Sequence, residues 1–159
     1  MPAWRARGSS SGFTLVELLV VMVIIGITLG LATLNAIPSP RQDLENEARR
    51  IALLLQLARD EAIVRNRLVA FEANGERYRF MVRGETGWEP VTRDDLLRER
   101  SFKNPPLRLV LEPSGTGGPD MLRITFGREP VDRPFVLTLA SGANAVAIRA
   151  DGVGHFTVE

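Results

Sequence analysis

The chain has 159 residues, 45% of them hydrophobic, and a formal net charge of +1 from 20 basic and 19 acidic side chains. That length suits one domain of ordinary size with a small appendage, and the near balance of charge is not the footprint of a general nucleic-acid binder. Cysteine is absent from the sequence, which excludes disulfides, thiolate metal sites and cysteine nucleophiles.

The apolar residues are unevenly placed. Met1–Gly12 holds Arg5 and Arg7 and no acid, and it is followed by "FTLVELLVVMVIIGITLGLATLNA", in which no charge occurs from Leu18 to Ala36. Together with Phe13–Val16 this run is long enough to cross a bilayer as a helix at about 1.5 Å per residue. Gly26 and Gly30 have the spacing of a small-xxx-small packing face. Arginine before the run and Asp43, Glu45 and Glu47 after it predict a cytoplasmic N-terminus with the remainder outside. A secretory signal peptide has a shorter apolar region and a small-x-small cleavage site. A plain membrane anchor accounts for the length of the run but not for Glu17 near its start.

The stretch "SSSGFTLVE", Ser9 to Glu17, resembles the processing signal of type IV pilins and of the pseudopilins of type II secretion systems. In that family a basic leader ends in glycine, a prepilin peptidase cuts after it, and the new terminal residue is N-methylated. The resemblance implies a cleaved leader over 1–12, cleavage between Gly12 and Phe13, methylation of Phe13, and Glu17 as an assembly contact. A carboxylate in an apolar setting is costly unless paired. The amine released at Phe13 lies four residues from Glu17, within reach on one helical face. The partner is either the terminus of the same chain or, in a filament, that of a neighbour.

Pro38 and Pro40 interrupt the first helix, so the sequence divides into a hydrophobic helix over 13–37 and a globular part over 38–159. Residues 41–66 form an amphipathic helix, with Leu44, Ala48, Ile51, Leu55, Ala58 and Ala62 on one face and Leu54 and Leu57 widening it. Asp43, Glu45 and Glu47 suit its N-terminal end. From Leu68 the pattern turns to strands. Asn74-Gly75 signals a hairpin within "LVAFEANGERYRFMV". Further strands are expected at Leu107–Glu112, Met121–Gly127, Phe135–Leu139 and Ala145–Arg149, and a last one in "HFTVE" follows a turn at Asp151-Gly152. The charged segment "TRDDLLRERSFKNPP" is read as a connection with one short helical turn, and "EPSGTGGPD" as a hairpin loop. The expected class is α+β, with a long N-terminal helix followed by antiparallel strands, which is the pilin architecture. "EARRIALLLQLARDEAIVRNRLVAF" and "DGVGHFTV" resemble the H-type minor pseudopilins and the related T-type minor pilins.

Little else in the sequence carries chemistry. His155 is the one histidine, with Asp151 nearby, and its place in an alternating terminal strand points to the surface rather than to a catalytic site. Asp94-Asp95 is an adjacent acidic pair, and no run has the alternating oxygen ligands of a calcium loop. Gly115, Gly117 and Gly118 lack the Lys and Ser/Thr of a phosphate loop. Arg77, Arg79 and Arg83 alternate and so share a strand face, read as solvated beside Glu76 and Glu85. Trp4 lies in the leader, and Trp88 is assigned to packing.

By resemblance, the chain is a structural H-type minor pseudopilin rather than an enzyme. It starts as a single-pass inner-membrane protein with a periplasmic domain, and then enters a short periplasmic pseudopilus near its tip. The implied partners are the other major and minor pseudopilins, the prepilin peptidase and the inner-membrane assembly platform, with no cofactor, metal or nucleic acid. The other reading is a T-type minor pilin that primes a type IV pilus or takes up DNA. Some of those relatives bind DNA through a basic C-terminal stretch, whereas this chain ends in "RADGVGHFTVE".

Overall fold

The computed structural model describes residues 13–35, 39–92, 94–114, 121–129 and 131–159. The leader, Gly12, Pro38 and the Gly115–Gly118 loop lie outside these residues. The chain divides into two compact units, one ending at Pro38 and the other running from Ser39 to Glu159.

The first unit holds helix α1, Leu15–Asn35. It starts at Leu15 rather than at the expected residue 13, because Thr14 caps it and leaves Phe13 outside; residues 36 and 37 of the expected span lie outside the described residues. Its described side chains are exposed on every face, among them Leu15, Val16, Met22, Ile27 and Leu29. Thr28 turns its hydroxyl back to the carbonyls of Ile24 and Ile25 (2.9 and 3.0 Å), so it adds no unsatisfied polar group to the apolar surface. Among the described residues no helix is long and apolar enough to cross a membrane. Side chains of α1 are described only from Leu15 to Gly30, a stretch of about 24 Å at 1.5 Å per residue.

The second unit begins with helix α2, Pro40–Val64. Ser39 is its N-cap and Gln42 completes a capping box, while Pro40 takes the first helical position, where no N–H is needed. Pro40 therefore starts a helix rather than kinking one. The C-terminal end closes as a Schellman turn. Asn66 adopts φ 53°, its N–H donates to Ile63 O (3.2 Å), and Arg67 N–H donates to Ala62 O (3.0 Å). The expected apolar face is buried from Leu44 to Ala62, and Leu57 is half-buried.

Nine strands follow among the described residues: β1 Val69–Ala73, β2 Arg77–Arg83, β3 Trp88–Pro90, β4 Arg100–Ser101, β5 Arg108–Glu112, β6 Leu122–Phe126, β7 Phe135–Ser141, β8 Asn144–Ala150 and β9 Phe156–Val158. They form two antiparallel sheets. One has the order β3-β2-β1-β6 with β4 also on β2, and the other has the order β5-β7-β8-β9. Helix α2 packs against both, touching β1 on one side and β8 and β9 on the other. This explains why its buried surface is wider than a single-sheet contact needs. Val69, Phe71 and Ala73 of β1 join Ile51, Leu55 and Ala58 of α2 in one core with Leu137, Leu139 and Ile148. Phe71, Tyr78, Phe80 and Phe102 make a run of tilted and edge-on ring contacts within it.

Two expectations are corrected, one is sharpened, and two short strands are added. The hairpin between β1 and β2 turns at Gly75-Glu76, because Asn74 N–H pairs with Arg77 O (3.0 Å) while its side chain accepts from Glu76 and Arg77 N–H (both 2.9 Å). No helical turn occurs over 94–106. That segment makes β4 and drops Leu97 and Phe102 into the core. The short strands β3 and β4 are not evident in the sequence. β5 and β6 do not form a hairpin across "EPSGTGGPD", since β5 pairs with β7 and β6 with β1.

Candidate functional site

The N-terminal segment is organised by Thr14. Its carbonyl accepts the N–H groups of Glu17 and Leu18 (3.1 and 3.2 Å), and its hydroxyl accepts Glu17 N–H (3.2 Å). Thr14 is thus a helix cap, with Glu17 at the third helical position, where a carboxylate favours the positive end of the helix dipole. Phe13 is exposed and non-helical. In the uncut chain the cap places Phe13 before the first turn, whereas the expected pairing concerns the amine that cleavage would create. What stands together is an exposed aromatic residue, a capping threonine, an exposed carboxylate and then an uninterrupted apolar helix.

In the second unit the remaining candidates take structural positions. Asp151 Oδ1 accepts the N–H groups of Val153, Gly154 and His155 (2.8, 3.1 and 3.0 Å), and Oδ2 meets His155 Nδ1 at 2.7 Å. The His155 hydrogen bond, helped by those backbone N–H groups, holds the Asp151 carboxyl down at about 2. His155 is exposed, so the pair shapes a surface turn. Asp94 uses Oδ1 to accept Leu96 and Leu97 N–H (2.7 and 3.3 Å). Among the described residues no group of three or more His, Asp or Glu is placed to hold a metal.

Arg77, Arg79 and Arg83 do share the face of β2 that points away from α2, but Glu76 and Glu85 are not their partners. Arg77 pairs with Glu99 (3.1 Å), Arg79 with Glu72 (2.8 Å), and Arg83 lies 5.7 Å from the centre of the Trp88 ring. Glu72 is the centre of this face and was not singled out by the sequence. It is 2% exposed and sits directly opposite both Arg79 on β2 and Arg123 on β6, hydrogen-bonding to both. Burial pushes the Glu72 carboxyl up, but the Arg123 and Arg79 hydrogen bonds outweigh it and hold the group below its ordinary value. Arg123 also lies over Trp88, 5.5 Å from its ring centre. The signal for Glu72 was its place midway along an otherwise apolar strand. Its partners were 7 and 51 residues away, a pairing that only sheet register creates.

A second network ties α2 to the end of the chain. Arg59, nearly buried, lies 3.6 Å from Asp132, and Asp132 N–H donates to Gly152 O (2.7 Å). Gly154 has φ 113°, and a Cβ there would come within 2.6 Å of the Arg59 guanidinium. The positive φ favours glycine at that position, and a side chain there would also make the Arg59 guanidinium shift. A second buried carboxylate, Glu47, is pushed up by burial against the pull of Arg50, 2.5 Å away.

This two-sheet domain behind a capped apolar helix is matched by known proteins. The family model for the type II transport protein GspH matches residues 47–154. The chain belongs to the GspH family. The prokaryotic N-terminal methylation motif matches residues 7–33 of the same chain. Type II secretion system protein H of Pseudomonas aeruginosa is 34% identical over 91% of this chain and 92% of its own length. The protein of the same name from Aeromonas hydrophila is 33% identical over 57% of this chain and 51% of its own. In structure, the minor pseudopilin EpsH of Vibrio cholerae aligns with a TM-score of 0.58 at 16% identity, covering 74% of this chain and 96% of that one. The solution structure of E. coli GspH aligns with a TM-score of 0.57 at 20% identity, over 77% and 95%. The structural likenesses establish the fold, and the family model and the Pseudomonas relative establish the family. The family is thus that of type II secretion system protein H, and the T-type pilin alternative is set aside.

Proposed function

We propose that the chain is made as a precursor, cut between Gly12 and Phe13, methylated on Phe13, and held in the inner membrane by α1 until it enters the periplasmic pseudopilus near its tip. The observation that carries this reading is the order of features at the N-terminus: basic leader, Gly12–Phe13, the Thr14 cap, Glu17 in the first turn, and an exposed apolar helix. Cleavage supplies a cationic amine close to Glu17, and in the filament that amine belongs to a neighbouring subunit. The apolar surface of α1 is then covered first by lipid and later by the equivalent helices of other pseudopilins. The prepilin peptidase and the inner-membrane assembly platform act on the same segment, and the domain from Ser39 onward lies in the periplasm.

Two substitutions separate processing from assembly. Gly12→Val is expected to leave a full-length precursor on immunoblots, and mature protein at normal size would remove the cleavage assignment. Glu17→Ala is expected to be cut normally but to enter filaments about tenfold less or worse, because an amine left unpaired in an apolar core costs several kcal/mol. Unchanged recovery in sheared pseudopili would sink the pairing role.

A further inference from the structure

Among the described residues the outer edge of β6 has no strand partner. Arg83 N–H donates to Leu68 O (2.8 Å) and Asn74 N–H to Arg77 O (3.0 Å), so residues 68, 70, 72 and 74 turn their main-chain groups toward β2. By the alternation of an antiparallel ladder, Val69, Phe71 and Ala73 bond toward β6, opposite Phe126, Ile124 and Leu122. Arg123 and Thr125 therefore aim their N–H and C=O groups away from the sheet. The same alternation turns Gly127 N–H outward, and it is already met by Asp132 Oδ1 (3.2 Å). Among the described residues β6 pairs only with β1.

Two of the other edges are shorter: β3 has three residues and ends in Pro90, and β9 has three. The edge strand β5 matches β6 in length, and its Leu111 lies across the groove from β6. β6 has five residues and no proline, and Arg123 is its one charged side chain. It also lines a groove of about 390 Å³ whose far wall is formed by Leu111, Ser114, Pro134 and Phe135. The charged lining residues are Arg123, Arg133 and Asp132. Asp132 faces Arg59, Arg123 shares its one carboxylate with Arg79, and Arg133 is exposed with no acidic partner among the described residues. The groove is thus net cationic beside a row of free main-chain donors and acceptors.

We propose that β6 is a strand-addition site, at which an extended, acid-bearing segment of a neighbouring pseudopilin pairs with Arg123 and Thr125 and lies in this groove. The proposal rests on the pseudopilus role. It is tested with the full-length chain in secretion-competent cells. Thr125→Pro removes an outward N–H without touching the β1 ladder, and it is expected to lower recovery in the pseudopilus and secretion about tenfold or more, the effect of one unmade main-chain bond. Processing and thermal midpoint should stay near those of the parent, and Thr125→Val, which keeps the N–H, should behave like the parent. Arg133→Glu should lower recovery in the same direction. A photo-crosslinking p-benzoylphenylalanine at position 125 should form an adduct with another pseudopilin.

Parent-level recovery of folded Thr125→Pro would overturn the edge site, as would an adduct that never includes another pseudopilin. Should Thr125→Pro fail to fold, parent-level recovery of Arg133→Glu together with no pseudopilin adduct overturns it. Loss of secretion on deleting the whole chain, with full secretion by Thr125→Pro, would refute the edge site alone. Unchanged secretion on deletion would refute the pseudopilus role and the edge site with it.

Discussion

Helices α1 and α2 have 21 and 25 residues, and they show that apolar content and burial are separate properties. α1 is apolar on every face, and its described side chains lie exposed. α2 carries eleven Arg, Asp, Glu and Gln residues in 25, yet it buries a continuous face between two sheets. An amphipathic helix finds its solvent-free surface within its own chain, whereas a helix that is apolar all round needs an external one. The Ser39 cap marks the change from one design to the other.

The sharpest way to break this comparison is in the core. Leu55 is 0% exposed, and Leu55→Ala should cost about 2–5 kcal/mol of unfolding free energy in urea titrations. A smaller cost would mean that α2 is not wedged between the sheets as described. Next in size, Glu72→Gln leaves two arginines competing for a neutral acceptor and should cost about 1–3 kcal/mol at neutral pH. Because the Glu72 carboxyl is held below its ordinary value, its contribution is present above the usual glutamate range and fades as pH falls through the lowered value. The parent should therefore lose stability on acidification more steeply than Glu72→Gln, and parallel pH profiles would contradict the pairing. Ser39→Ala should cost about 1 kcal/mol through the lost cap, seen as a small drop in thermal midpoint. Leu53, on the open side of α2 at 68% exposure, is the contrast: Leu53→Ala should stay within about 0.5 kcal/mol of the parent.

The helices and most strands were legible because their signals are local. The 3.6-residue recurrence from Leu44 to Ala62 and the alternation in β7 and β8 are set by side chains a few positions apart. β3 and β4 were missed because three and two residues are too few to show a period, and they exist only through pairing with β2. Asn74-Gly75 located the hairpin but not its central pair, since the Asn74 side chain competes for the turn's N–H groups. In the candidate site, Thr14 was read as part of a recognition motif, and its capping role became plain only from the hydrogen bonds it makes.

By itself the sequence determined the N-terminal methylation motif over residues 7–33, the place of Glu17, the apolar helix and the α-then-β order, all consequences of residue type at short spacing. Tertiary structure alone decided that the strands divide into two sheets, that Glu72 is held between Arg79 and Arg123, that Arg59 reaches the Gly154 turn, and that among the described residues the outer edge of β6 has no strand partner. Those features join residues far apart in the chain, and strand register, which no local pattern encodes, is what brings them together.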